Sequence, residues 1–374
     1  MRLHSSSFIL VAVLLAACGS AQPAASSTAA SASRASSAAA ASSSATSAAA
    51  AAAASKPAPA ASGKPLVKLV QALPAVNFGT ILPGRVAEAQ GYFRDEGLEV
   101  ETPTMAPPAA IAGVVSGQVD FAVAGSGIRA AMQGAPLKAI FFYFNTVLFE
   151  MVATPNIKSV ADLKGKRIGQ TAPNASDQLA SAKILKNAGL DPEKDVAYVT
   201  VPGGGEIAAL SSGAIDAESV TPDVGARAVS QGMHILVPVQ DVGRLVPSPF
   251  GGWNVSDQAL QTKHDVLLAW ARANVRALQF MVEHPQETEA IAAKSYSLDP
   301  QLAHLGISSV IQAIDPNDFG GFSDEGIKLE IANDSAALKG DFKTNDISRL
   351  VDLSILHEAQ KQVGVPCKSG YGCG

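Results

Sequence analysis

The chain repeats itself at long range. Ile111-Ala-Gly-Val-Val-Ser-Gly-Gln-Val-Asp120 is echoed by Ile207-Ala-Ala-Leu-Ser-Ser-Gly-Ala-Ile-Asp216, and Arg129-Ala-Ala-Met-Gln-Gly134 by Arg227-Ala-Val-Ser-Gln-Gly232. Each copy has the pattern of a helix closed by Gly, a tight turn, a strand headed by Asp, a loop, and a second helix ended by Gly. Ile207 follows Ile111 by 96 positions and Arg227 follows Arg129 by 98. Two such units at that offset predict two similar α/β lobes.

The surrounding pattern agrees. Residues 66–72 have strand character, 84–96 helical, 98–102 strand, 109–116 helical and 119–124 strand, an alternation that implies parallel sheets covered by helices. Residues 147–154 are expected to carry the chain from one lobe to the other, with a return between 237 and 255. Apolar residues then recur at helical spacing over 256–283, and further helices follow. Two crossings permit a hinge.

The N-terminus does not contribute to this body. Arg2, the apolar run from Phe8 to Ala16, and Leu15-Ala-Ala-Cys18 have the order of a signal peptide ending at a bacterial lipobox, with Cys18 as the lipidated residue. Several acyl chains on one cysteine suffice for stable anchoring. From Ala24 to Ser55 every residue is Ala, Ser or Thr except Arg34, a composition that cannot build a core. About 40 such residues reach roughly 35 Å root-mean-square, the dimension of a tether. The expected organisation is a signal peptide over 1–17, a lipidated tether over 18–63, lobe one with C-terminal helices over 64–150 plus 245–374, and lobe two over 151–244. The remaining cysteines, Cys367 and Cys373, lie close in the tail. Outside the cytoplasm a short-loop disulfide or two free thiols are both open there.

A formal net charge of −5 with scattered lysines and arginines gives no footprint for nucleic acid. The six histidines are dispersed, with no His-Glu-x-x-His pair, no Gly-x-Ser-x-Gly elbow, and no metal site or cofactor expected.

Four motifs, in this order, carry a resemblance: Gly91-Tyr-Phe-Arg-Asp-Glu-Gly-Leu-Glu-Val100, Ser116-Gly-Gln-Val-Asp-Phe121, Asp162-Leu-Lys-Gly-Lys-Arg-Ile-Gly169 and Ala188-Gly-Leu-Asp191. Over residues 65–300 the chain resembles the sulfonate, nitrate, taurine and pyrimidine-precursor group of solute-binding proteins. The resemblance implies a type II periplasmic-binding-protein fold: two α/β lobes joined by a two-crossing hinge, with the ligand cleft between them. The strand-end loops carry hydroxyls, amides, aromatics and few arginines, which leans toward a small organic anion or polar aromatic solute, captured by a monomer anchored to the membrane through the lipid on Cys18. The captured solute would pass to an ABC permease with a cytoplasmic ATPase, or to a sensor protein. A dehydratase or a pyrimidine-precursor synthase on the same fold is the enzyme alternative; the synthase's cysteine cluster has no counterpart, because no cysteine lies between Cys18 and Cys367.

Loops at strand ends are the places to seek ligand contacts. Asn77 and Thr80 offer hydrogen bonds, while Phe78 is either a flat wall or a core residue. Arg85 is the arginine nearest this loop. Ser126 heads the echoed helix of lobe one, and Phe144 and Asn145 end an apolar strand. In lobe two, Thr171, Asn174 and Ser176 lead into a helix whose free N–H groups would hold an anion. Thr221 and Asp223 stand where Ser126 stands in lobe one. Trp253, after Gly251 and Gly252, is either a stacking surface or a buried hinge residue.

Overall fold

A computed structural model describes residues 65–73, 77–173, 175–365, 367 and 370–373. The expected signal peptide, Cys18, the tether and Asn174 lie outside the described residues, as does the side chain of Ser126. All that is described belongs to one unit, Pro57–Gly374.

Among the described residues ten strands form two five-stranded sheets. The first takes β1 (Val67–Ala72), β2 (Leu98–Glu101), β3 (Phe121–Val123) and β4 (Leu137–Phe144). The second takes β5 (Glu150–Ala153), β6 (Arg167–Gln170), β7 (Ala197–Thr200), β8 (Ala217–Val220) and β9 (His234–Val237). The last strand, β10 (Phe250–Ser256), returns to the first sheet. The orders are β2-β1-β3-β10-β4 and β7-β6-β8-β5-β9. In each sheet the fourth position is held by a strand adjoining a crossing and running antiparallel to both neighbours. The other pairs, β1 with β2 and β3, and β6 with β7 and β8, are parallel.

The internal echo maps onto this symmetry. Helix Pro107–Ser116, β3 and helix Ala124–Met132 correspond to helix Glu206–Ser211, β8 and helix Pro222–Ser230. The repeated aspartates do one job: Asp120 Oδ2 accepts from the Val70 amide at 2.9 Å, and Asp216 Oδ2 from the Arg167 amide at 2.9 Å. Each ties the start of β3 or β8 to the neighbouring parallel strand, with Lys263 or Arg167 compensating its charge.

Local chemistry moves some boundaries. The first helix spans Phe78–Ala89, six residues ahead of the expected start, because Asn77 caps it by accepting from the Thr80 amide at 3.0 Å. The helix absorbs Pro83 and ends before Gly91, whose φ of +77° opens a separate turn over Tyr92–Asp95. After β10 the long helix His264–Glu283 packs its apolar face on the first sheet. Trp270 stacks on Phe121 at 4.3 Å between centroids and meets Phe141 and Trp253 edge-on. Two of the polar atoms buried with them are paired: Trp270 Nε1 donates to Gln71 at 3.0 Å and Tyr143 to Asn274 at 2.8 Å, whereas the Trp253 indole N–H has no hydrogen-bond partner.

The lobes are joined by residues 145–149 and 246–249, and these crossings touch: the Val147 amide donates to Val246 O at 3.3 Å, and Phe149 meets Phe250 at 5.7 Å. Helix Pro300–Gln312 spans both lobes, packing on helix Pro285–Tyr296 of lobe one and on helix Pro222–Ser230 of lobe two. Its Ser309 donates to Glu150 of β5 at 3.2 Å.

Lobe two buries Glu218 on β8 over Gly169, with 1% of the residue exposed and Oε2 without a hydrogen-bond partner. Burial, then the charges of Glu206 and Asp177, push its carboxyl up to about 8 from 4.5. The folded chain therefore holds a proton that the unfolded chain releases between about pH 4.5 and 8, so this group's stabilising contribution is complete below that window and lost as pH rises through it. Glu218→Gln is expected to flatten the loss, gaining on the order of 2 kcal/mol over the parent at about pH 9 and nothing at about pH 4. Denaturant melts at the two pH values measure the difference.

Candidate functional site

The carboxyl ends of β1, β3 and β6 lead into helices Phe78–Ala89, Ala124–Met132 and Ser176–Asn187. Their first turns face one cavity of about 130 Å3, through Thr80, Gly125 and Ser176. The crossing segment 246–250 and Gly251 and Gly252 close one side, and Glu330, Asn333 and Asp334 of helix Asp324–Ala337 close another. Both lobes and the hinge thus contribute to one space. A dry cavity of roughly 150 Å3 holds a benzene ring, so this volume suits a ligand core of about six heavy atoms.

The walls meet closely. A side chain at Gly252 would collide with Phe142, and one at Gly251, whose φ is +67°, with the carbonyl of Gly79. These glycines let β10 pass against the first turn of helix Phe78–Ala89 and fix the back of the cavity.

Polar groups concentrate on helix Asp324–Ala337. Arg129 Nε donates to Asp334 Oδ1 at 2.5 Å, and the Ser248 hydroxyl donates to Glu330 Oε2 at 2.6 Å. Asp334 is 1% exposed and its Oδ2 has no hydrogen-bond partner. Burial, reinforced by Asp334, holds the Glu330 carboxyl above the usual carboxylate range, and burial raises Asp334 against the opposing pull of Arg129.

The structure distributes the expected ligand residues unevenly. Thr80 and Ser176 line the cavity together. Asn77 is engaged as a helix cap. Phe78 is buried between Tyr296, at 4.9 Å, and Gly306, and takes the core role. Arg85 does not reach the cavity; it pairs with Glu88 at 2.7 Å on another face of lobe one. Phe144 is 1% exposed because β4 is covered on both faces, and Trp253 is fully buried among Trp270 and Tyr143, so neither offers a ring to a ligand. Asn145 in the first crossing donates to Asp315 at 3.0 Å. Thr171 is held by Asp177, which accepts from its amide at 2.5 Å and its hydroxyl at 2.9 Å. Thr221 and Asp223 begin the helix that packs on helix Pro300–Gln312, and Asp223 pairs with Arg227 at 3.5 Å. In the tail, the Cα atoms of Cys367 and Cys373 are 5.5 Å apart, within disulfide reach, with His357 beside the sulfurs.

Sequence reasoning missed Arg129, Glu330, Asn333 and Asp334. One signal was present: Ile327, Ile331 and Asp334 share the buried face of their helix, so an aspartate occupies a position that helical periodicity reserves for an apolar residue.

The architecture is that of a type II periplasmic-binding protein. The family model described as NMT1/THI5 like matches residues 79–288, more than half of the chain, and the chain belongs to that family. Among solved structures, one from Bordetella bronchiseptica is 25% identical, with a TM-score of 0.61 over 79% of this chain and 98% of the other. The periplasmic aliphatic sulphonate binding protein SsuA from Escherichia coli is 17% identical, with a TM-score of 0.59 over 77% and 92%. The desulfurization enzyme DszB is 14% identical, with a TM-score of 0.58 over 79% and 99%. No curated protein sequence matches the chain.

Asp177 is the part of this site whose role is most easily isolated, since it answers two donors of one residue. Asp177→Ala is expected to cost about 1–3 kcal/mol in stability and to speed amide exchange at Thr171. Unchanged protection of that amide would show that the loop holds itself.

Proposed function

We propose that the chain is the extracytoplasmic solute-binding component of an ABC importer. Its two lobes close on a small solute at the hinge and pass it to a permease driven by a cytoplasmic ATPase. The observation that supports this reading best is the cavity itself, where first turns of helices from both lobes converge between the two crossings. Free N–H groups at such turns hold polar ligand groups without a catalytic apparatus. Among the described residues no helix is long and apolar enough to cross a membrane; the proposed link is lipid on Cys18, followed by the Ala/Ser-rich tether, with the receptor acting as a monomer. In the oxidising space beyond the membrane, Cys367 and Cys373 would be bridged.

The second reading is an enzyme on the same fold, favoured by the likeness to the desulfurization enzyme. The chain would need groups other than cysteine at its centre, since none lies between Cys18 and Cys367.

Native mass spectrometry of the protein purified without denaturation separates the readings. A receptor retains a small molecule that is lost after unfolding and refolding, and its radius of gyration is smaller before stripping than after. Turnover of a compound without a retained complex would favour the enzyme. Gly306→Val tests closure: its new side chain would fall within about 3 Å of the Phe78 ring and the Pro222 carbonyl across the lobes, and retention is expected to weaken roughly tenfold or more. Cys18→Ser is expected to move the chain from the membrane fraction to the soluble one.

A further inference from the structure

We propose that the hinge cavity selects a small solute whose inward end is a cationic nitrogen group, held by Asp334 and Glu330, in preference to an anion. This deepens the solute-capture reading and rests on it.

An anion has little to bind in lobe one. The positive features facing the cavity there are the first turns of helices Phe78–Ala89 and Ala124–Met132 and the guanidinium of Arg129. The chain already answers each, the first through the Asn77 side chain, which accepts from the Thr80 amide. Glu330 lies against the first turn of helix Ala124–Met132, near enough that a Cβ on Gly125 would sit 3.9 Å from its Oε1, and Arg129 is bound to Asp334 at 2.5 Å. Among the described residues lobe two adds Ser176 and Leu179 to the lining and no basic side chain, and the first turn of helix Ser176–Asn187 there carries the carboxylate of Asp177. Behind this wall stand Asp177, Glu206 and Glu218, close enough for the first two to raise the third.

A cation finds the opposite situation. Two carboxylates meet a single guanidinium in the cavity, leaving one formal negative charge when both are ionised. Asp334 Oδ2 is buried without a donor, a condition that an N–H group relieves directly. Burial raises both carboxyls, and the charge of Asp334 raises Glu330 further, a shift that an added counter-charge would reverse. The volume sets the scale: a charged head on a core about the size of one ring.

Calorimetric titration of the stripped full-length chain with benzamidine, benzoate and benzenesulfonate compares one ring with three head groups. Benzamidine is expected to bind at least about tenfold more tightly than either anion, and Asp334→Asn and Glu330→Gln each to lose about tenfold toward benzamidine while melting cooperatively. Tighter binding of benzoate or benzenesulfonate, or unchanged benzamidine affinity in both variants, overturns the assignment. If an anion binds and compacts the chain, solute capture stands and only the ligand class fails. If none of the three binds, the ligand class fails, and capture fails with it only if the natively purified protein carries no ligand and has the same radius of gyration as the stripped form.

Discussion

Each lobe is completed by a strand that adjoins a crossing. β10 returns from lobe two to sit between β3 and β4, and β5 follows the first crossing to sit between β8 and β9. A sheet missing its fourth strand would expose the edges of both neighbours, so neither lobe is finished without the chain passing through the hinge. This explains why the crossings are short, in mutual contact and walled by aromatic side chains. It also places the cavity. Helices after β1, β3 and β6 start at the carboxyl ends of their strands, and the interlocked connection holds those ends of the two sheets toward one another.

The backbone plan was legible because it is written in short-range chemistry. The echoed Gly endings and Asp120 and Asp216 mark the same turn twice, and each aspartate makes the same hydrogen bond to the neighbouring strand. Helix Phe78–Ala89 was placed late because Pro83 and Gly84 suggest a break, whereas the Asn77 cap and burial of Phe78, Ile81 and Leu82 offset the cost of Pro83. Tertiary packing decided between two local readings there.

The site was less legible, for a physical reason. Thr80 and Ser176 are recognisable from sequence as polar residues in the first turns of helices. Glu330 and Asp334 come from a helix some 200 positions after Arg129, and no local pattern announces that this helix closes the cavity. Aromatic residues at strand ends misled for a related reason. Trp253 and Phe144 lie beside the cleft in sequence, but β10 and the edge strand β4 next to it are covered on both faces, so their large side chains are taken into the core. The cavity is lined instead by other residues, apolar ones such as Phe142, Leu179 and Phe250 alternating with polar ones such as Thr80, Ser176 and Ser248.

That division of labour carries an electrostatic consequence. A fold that aims several helix N-termini at one cavity is predisposed toward anions, and a chain that accommodates another ligand must first neutralise those termini. Here the neutralising groups are supplied in the fold itself, by Glu330 against helix Ala124–Met132 and by Asp177 on the loop at Thr171. Asp177 is fully engaged by Thr171, whereas Asp334 retains an unanswered oxygen. One acid therefore serves the architecture and the other remains available to the cavity. Ligand preference in such a protein is set less by the helix termini common to the fold than by which C-terminal side chains are folded back over them.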